Sequence, residues 1–403
     1  MLRALAIIAF LLVVLLVVGG MHAYLWLRLV RDPQLPDSWR RLLTVLLVLL
    51  AVGVPAGLFL MRAASGWVAR AAPIAATTWL GVAFILFCSV ALFDLIRLAG
   101  LGVQFMLAWI RTQPDPPADP ARRLVLARAV AGSAAVVAGS ATAFATRRAF
   151  GPAQVTEVPV VLERLPPALS GLTIAQITDL HVGPTIREKE VRRVVEQTNG
   201  LGADVIAITG DLVDGSVAQL GHIVAELGKL QARHGVFFVT GNHEYYSGAA
   251  QWTAMLRRLG IRVLSGERVA IGDAGASFDL AGMDDWREVA GGDHPGGYPG
   301  ALRDALAGRD PERSLVLLQH QPRDMDAAVA SGVELQISGH THGGQIVPFN
   351  LLVSLAYPYV AGLYRHRCAA GTGQIFVSRG TGFWGPPMRL GAPPEIAKLV
   401  LTR

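Results

Sequence analysis

Apolar residues follow two different patterns along this chain. Up to about residue 150 they form long runs, at Leu5–Leu27, Leu42–Met61, Ile74–Ile96 and Leu124–Ala145. Each is close to the ~20 apolar residues that cross a bilayer as a helix. One such run would also suit a buried helix or a cleaved signal peptide, but four in succession predict a helical membrane domain over residues 1–150. The apolar segment Arg97–Ile110 either lies along the interface or extends the third run. Asp94, near the end of that run, is expected as an interfacial residue close to Arg97. Gln113–Pro120, rich in Pro and Asp, reads as a loop.

From residue 151 onward the apolar runs are short. Leu172–Ile177, Val205–Ile208, Val236–Val239, Leu315–Leu318 and Val333–Ile337 read as buried strands. Further strands are expected at Ile261–Leu264, Phe278–Met283, Gln374–Ser378 and Ile396–Leu401. Between them, Arg187–Thr198, Val217–Gln231 and Gln251–Leu259 have helical spacing. Arg147–Val158 reads as a linker and Gly291–Gly300 as a mobile loop. The alternation predicts a layered α/β domain over residues 151–403.

Charge separates the halves further. Residues 1–150 carry 14 Lys/Arg against 5 Asp/Glu, and residues 151–403 carry 22 against 25. The basic pI of 9.7 therefore reflects arginines flanking the spans. A slightly acidic second half would repel a phosphate backbone, and no nucleic-acid partner is expected. The loops after the first and third runs hold eight arginines and the opposite side five, so the excess-positive-inside tendency puts both the amino terminus and the second domain outside. The two cysteines, Cys88 and Cys368, fall in different halves, which leaves neither an intradomain disulfide nor a Cys-rich zinc motif.

Each of five short runs ends in metal-type residues: Asp179-Leu180-His181, Gly210-Asp211-Leu212-Val213-Asp214, Gly241-Asn242-His243-Glu244, His320, and Gly339-His340-Thr341-His342-Gly343-Gly344-Gln345. Strand C-termini are where α/β folds build sites. Any one piece has an ordinary explanation, and a lone His320 is more often a satisfied core histidine. Five in one order point to a convergent polar site. Carboxylate, amide and imidazole donors without thiolate suit manganese, iron or zinc. Two cations ~3.5–4 Å apart repel and need a shared anion, for which Asp211 is the candidate.

The order of these motifs over residues 155–403 resembles the calcineurin-like metallophosphoesterases, and among them the membrane-associated bacterial phosphohydrolases related to YkuE and YaeI. Ser378-Arg379-Gly380-Thr381-Gly382 and Pro393-Pro394-Glu395-Ile396 support the resemblance. It implies a two-sheet β-sandwich flanked by helices. It implies that Asp179, His181 and His342 hold one divalent metal ion and Asn242, His320 and His340 a second, with Asp211 between. A metal-activated water would attack phosphorus, His243 would protonate the leaving oxygen or bind phosphate, and Asp214 would orient it. Glu244 reads as a helix-start carboxylate, and His222, His234, His294 and His366 are expected to have no metal role.

The expected whole is a multi-pass membrane protein that hydrolyses a phosphoester or pyrophosphate. Its substrate would be a phosphorylated small molecule or lipid, UDP-diacylglucosamine being one on which some relatives act, with membrane lipids as further partners. The apolar stretch Ile346–Tyr364, read as a loop, would admit a lipid tail or pack on its own core, with Arg365 and Arg367 gripping phosphate. The region of Thr381 and Trp384 leaves substrate choice open. A non-catalytic sensor or scaffold is the alternative, but it should have lost a ligand, and all seven are present. A transporter fits poorly, because the spans carry little charge.

Overall fold

The computed structural model describes residues 2–63, 66–110, 119–273, 275–285 and 296–403. The chain divides into two compact units, residues 1–146 with 385–388, and residues 147–384 with 389–403.

The first unit is helical. Helices α1 (Leu2–Trp26), α2 (Asp37–Ala63), α3 (Gly66–Ile110) and α4 (Pro120–Ala149) are each long and apolar enough to cross a membrane. Arg97–Ile110 continues α3, which at 1.5 Å per residue is about 68 Å long, twice a bilayer core. Large apolar side chains face outward, Leu49 at 65%, Phe59 at 70% and Val136 at 70% exposure, the reverse of a water-soluble bundle. Helix α2 approaches α3 closely where a Cβ on Gly57 would overlap Ala72 and Ala76. Asp94, three residues before Arg97 on α3, pairs with groups from elsewhere. Its carboxylate accepts hydrogen bonds from Tyr24 Oη at 2.5 Å and Arg28 Nε at 2.8 Å, because the fold brings α1 beside α3 and offers a cation from another helix.

The second unit stacks two six-stranded sheets. In the first the order is β1 (Gln154–Val161), β12 (Glu395–Thr402), β2 (Thr173–Ile177), β3 (Val205–Thr209), β4 (Val236–Val239), β5 (Arg262–Val263). In the second it is β10 (Gly362–Cys368), β11 (Gly371–Val377), β9 (Leu335–Ser338), β8 (Leu315–Leu318), β7 (Ala276–Gly282), β6 (Glu267–Asp273). Alternation within each strand builds the layers. Ile174, Val205 and Ala207 face Leu280, Val316, Leu318 and Ile337 between the sheets. Ile206, Ile208 and Phe238 point the other way, onto α5 (Glu188–Asn199), α6 (Val217–Val224) and α8 (Ala249–Arg258). On the far side Leu315 and Leu317 pack on α9 (Gly297–Ala305) and α10 (Met325–Ala330). Burying one such side chain contributes about 1.5–3 kcal/mol.

Three expectations need correction. The linker Arg147–Val158 becomes β1 from Gln154, and its Pro159 and mixed alternation hide a strand whose order comes from parallel pairing with β12. Part of the expected loop Gly291–Gly300 opens α9; residues 286–295, with His294, lie outside the described residues, as do 111–118 of the first unit. Within Ile346–Tyr364, Phe349–Ala356 is a helix, α11, none of whose residues is buried. The helix does not pack on the core, whereas Ile346 before it is buried and Tyr359 and Tyr364 after it pack against a buried cluster.

Candidate metal centre

Strands β2, β3 and β4 run parallel in one sheet, and β8 and β9 in the other. Their C-terminal ends therefore meet at one end of the sandwich. Asp179 and His181 follow β2, Asp211 and Asp214 follow β3, and His320, His340 and His342 follow β8 and β9. After β4, Asn242 and His243 open the short helix α7 (Asn242–Ser247).

The turns are sharp. Asp179, His181, Asp211, His340 and His342 all have positive φ, between 50° and 73°. That conformation costs an L-residue about 1–2 kcal/mol, and such strain clusters at functional sites. Small residues make the close approach possible. A Cβ at Gly241 would overlap the Asp211 carboxylate, and one at Gly339 would overlap Thr178 and Asp179.

The donors form two groups around Asp211. In one, His181 Nε2 lies 3.2 Å from His342 Nε2, and His342 Nε2 is 3.5 Å from Asp179 Oδ1. In the other, His320 Nε2 is 3.1 Å from Asp211 Oδ2 and 3.2 Å from His340 Nδ1. Groups Asp179–His181–His342 and Asp211–His320–His340 each offer three ligand atoms within 4.8 Å of one another, and so do His181–Asp211–His243.

Hydrogen bonds behind the rings aim the free nitrogens inward. His320 Nδ1 donates to the Thr209 carbonyl at 2.7 Å, Asp214 Oδ1 lies 3.2 Å from His181 Nδ1, and Tyr357 Oη is 2.7 Å from His340 Nε2. Such outer partners set the orientation of metal-binding imidazoles. Asn242 Oδ1 is buried without a hydrogen-bond donor. An orphaned acceptor there costs about 1–3 kcal/mol, and a cation would satisfy it. With imidazole nitrogens facing each other and carboxylates between them, the donor set fits divalent cations.

The charges are unevenly held. Burial opposes protonation of His181, but Asp214, Asp211 and Asp179 outweigh it and hold the imidazole up at about 9. Burial also opposes a charge on His320, and Asp211 again prevails, holding it well above the usual range. His340 is pushed down to about 3 by burial and by the charge on His320. His342 is likewise held low by burial and then by Arg389. Asp179 is raised by burial, while Asp211 is held low because His320 and its neighbours outweigh burial.

His243 projects beside these groups. Its Nδ1 lies 2.5 Å from Asp214 Oδ1 and its Nε2 3.9 Å from Asp211 Oδ2. Asp214 thus serves two imidazoles, whereas the sequence reading gave it one. The exposed rings of Tyr246 and Trp384 stand edge-on to His243, at 5.4 and 5.7 Å. Gln345 clamps the Trp384 backbone, donating to its carbonyl at 2.9 Å and accepting its N–H at 3.0 Å.

Two residues emerge with larger roles than the sequence suggested. Glu244 is fully buried, and its carboxylate accepts the N–H groups of Asp211, Leu212 and Gly241. Burial and the Asp211 charge raise it to about 7. Its place three residues after Gly241, as in a capping box, was the available signal. Arg389, also fully buried, donates to the carbonyls of Gly382, His342 and Arg379 and lies 3.0 Å from His342 Nδ1. Nothing in its local sequence marks it.

Other expectations are not met. Arg365 and Arg367 sit on the exposed face of β10, which starts beside Val377 at the site end and runs away from it. His366 faces the other way, with Nδ1 2.6 Å from Tyr359 Oη and Nε2 2.7 Å from Asp326 Oδ1; Cys368 lies near Asp326 and His366. Thr381 is buried and donates to the Glu395 carbonyl.

Two sheets whose parallel strands deliver carboxylates and imidazoles to one end of the sandwich define a metal-dependent phosphoesterase fold. The calcineurin-like phosphoesterase family matches residues 172–344. The chain is 37% identical over 339 residues to the Bos taurus transmembrane protein with metallophosphoesterase domain, spanning 81% of this chain and 73% of that protein. It is 31% identical to the Danio rerio protein of the same name, over 96% of this chain and 87% of that one. To the Bacillus subtilis uncharacterized metallophosphoesterase YkuE it is 30% identical, over 62% and 85%. The chain belongs to the calcineurin-like phosphoesterases and is a metal-dependent hydrolase.

Proposed function

We propose that the protein is a membrane-embedded phosphohydrolase that cleaves a phosphoester or phosphoanhydride with two divalent cations. Asp179, His181 and His342 would hold one, and Asn242, His320 and His340 the other, with Asp211 shared. The observation that carries this reading is the convergence of Asp179, His181, Asp211, His320, His340 and His342 from the ends of β2, β3, β8 and β9, with Asn242 Oδ1, after β4, buried and unpartnered. Bound there, manganese, iron or zinc would neutralise phosphate charge and acidify the attacking water. His243 protonates the leaving oxygen, and Asp214 orients His243 and His181 together.

A lipid-linked substrate, of which UDP-diacylglucosamine is one form, is favoured by α11. This helix follows the double-histidine turn, and it exposes Leu351, Leu352 and Leu355 at 63%, 56% and 83%. Exposed apolar patches of this kind mark binding surfaces. The chain also carries four helices that keep the hydrolase with a bilayer. Detergent-solubilised protein with Mn²⁺ should hydrolyse at least one of a panel of phosphomonoesters, diesters, UDP-lipids and polyprenyl pyrophosphates. Metal-loaded protein inert towards all of them would favour a non-catalytic scaffold.

The arginine bias of the loops supports an extracytoplasmic hydrolase domain. A reporter fused after Arg403 should be active only as a periplasmic type. Activity of a cytoplasmic-type reporter alone would reverse the assignment.

A further inference from the structure

We infer that Arg323 forms an anion subsite beside the metal centre, suited to a second phosphate of the substrate, next to the one attacked. The inference rests on the phosphohydrolase reading above and narrows it to phosphoanhydrides.

The arginines around the site differ in what they already hold. Arg389 is saturated by backbone carbonyls, and Arg379 is paired with Glu395. Arg323 differs from Arg379 in lacking a carboxylate partner, though the Nε of Arg379 is likewise buried without an acceptor, and it differs from Arg389 in lacking the backbone carbonyls. Among the described residues its guanidinium has no carboxylate partner, and its Nε is buried without an acceptor. The guanidinium lies over the ring of Tyr357, 4.3 Å from its centroid. Stacking on an aromatic face leaves the edge N–H groups of the fork free, and that planar fork matches phosphate oxygens.

The position is held from the site itself. Arg323 stands three residues after His320. Gln336 of β9, the strand that delivers His340, donates to the carbonyls of Gln321 and Arg323 at 3.4 and 3.3 Å. Asp324, at φ 61°, then turns the chain into α10. Tyr357, at the end of α11, contacts His340 Nε2 through its hydroxyl and Arg323 through its ring. Tyr357 thus links His340 to Arg323. The carboxylate of Asp285 accepts two hydrogen bonds from Gln321 Nε2. A cation one residue removed from the ligands, on an aromatic platform, reaches a group beyond the reacting phosphate.

The test measures binding to full-length, detergent-solubilised protein in excess Mn²⁺, by calorimetry, with methylenediphosphonate and orthophosphate as probes. Arg323→Ala should weaken the diphosphonate roughly 10- to 100-fold, the range for a hydrogen bond to a charged group, and leave orthophosphate and bound Mn²⁺ unchanged. Arg323→Lys, which keeps the charge but loses the fork, should recover part of the loss. Equal weakening of both probes, a fall in bound Mn²⁺, or no effect on either overturns the subsite. Wild-type protein that binds neither anion overturns the phosphohydrolase reading, and the subsite with it.

Discussion

Glu244 Oε2 accepts the backbone N–H of Asp211 at 2.9 Å, and Glu244 Oε1 accepts that of Leu212 at 2.8 Å. One buried carboxylate at the start of α7 therefore holds the turn that presents Asp211 at positive φ. Because it also accepts the Gly241 N–H, it ties the ends of β3 and β4 together. Glu244→Ala should leave three buried donors unsatisfied, each costing about 1–3 kcal/mol, and should lower both thermal stability and metal retention. Glu244→Gln, which keeps one acceptor oxygen, should be milder. Unchanged metal content and melting temperature in Glu244→Ala would leave the carboxylate as a simple helix cap.

Asp211 stands between the two donor groups and is the anion that two cations would share. Asp211→Asn should therefore abolish turnover and reduce bound metal at saturating Mn²⁺ from two ions per chain. Elemental analysis showing two ions and full activity in the variant would remove the shared-carboxylate role. Asn242→Ala should affect one ion more than the other, since the proposed site assigns its buried, unpartnered Oδ1 to one ion alone.

His243 is close enough to Asp211 to compete for a ligand role, but its side chain is more exposed than that of His181. As the proton donor, His243→Ala should slow turnover roughly 10²–10⁴-fold with metal content intact. The loss should shrink for nitrophenyl esters, whose leaving groups need little protonation. An emptied metal position, or an equal loss with every leaving group, would make His243 a ligand instead.

The exposed face of α11 tests substrate class. Each buried CH₂ contributes about 0.8 kcal/mol, so even partial burial of an acyl chain would be visible in KM. Replacing Leu351, Leu352 and Leu355 with Ser should raise KM for a lipid phosphoester and leave a small soluble ester nearly unaffected. None of the three is buried, so folding should survive. Equal loss on both substrates would reduce the helix to a structural element.

Much of this protein is legible along its sequence because the information is local. The four apolar runs carry the length of a bilayer crossing within themselves. The short runs from Leu172 to Ile337 alternate onto two faces, and each ends in its own polar cluster. That was enough to expect most of the strands and the residues at their ends, but not the order of strands in the two sheets. Partnership between distant segments is different, because it depends on topology rather than on neighbours. The strand character of β1 comes from β12, more than two hundred residues away. Asp94 reads only as an interfacial residue near Arg97, and packing supplies its partner, Arg28, from another helix. The sharing of Asp214 by two histidines, the three N–H groups on Glu244 and the stacking of Arg323 on Tyr357 all join loops from different strands. The sequence alone determined where the carboxylate and imidazole donors lie along the chain. Only the tertiary structure decided which side chains are already satisfied by neighbours, and among the described residues that separates Arg389, held by backbone carbonyls, from Arg323, which has no carboxylate partner.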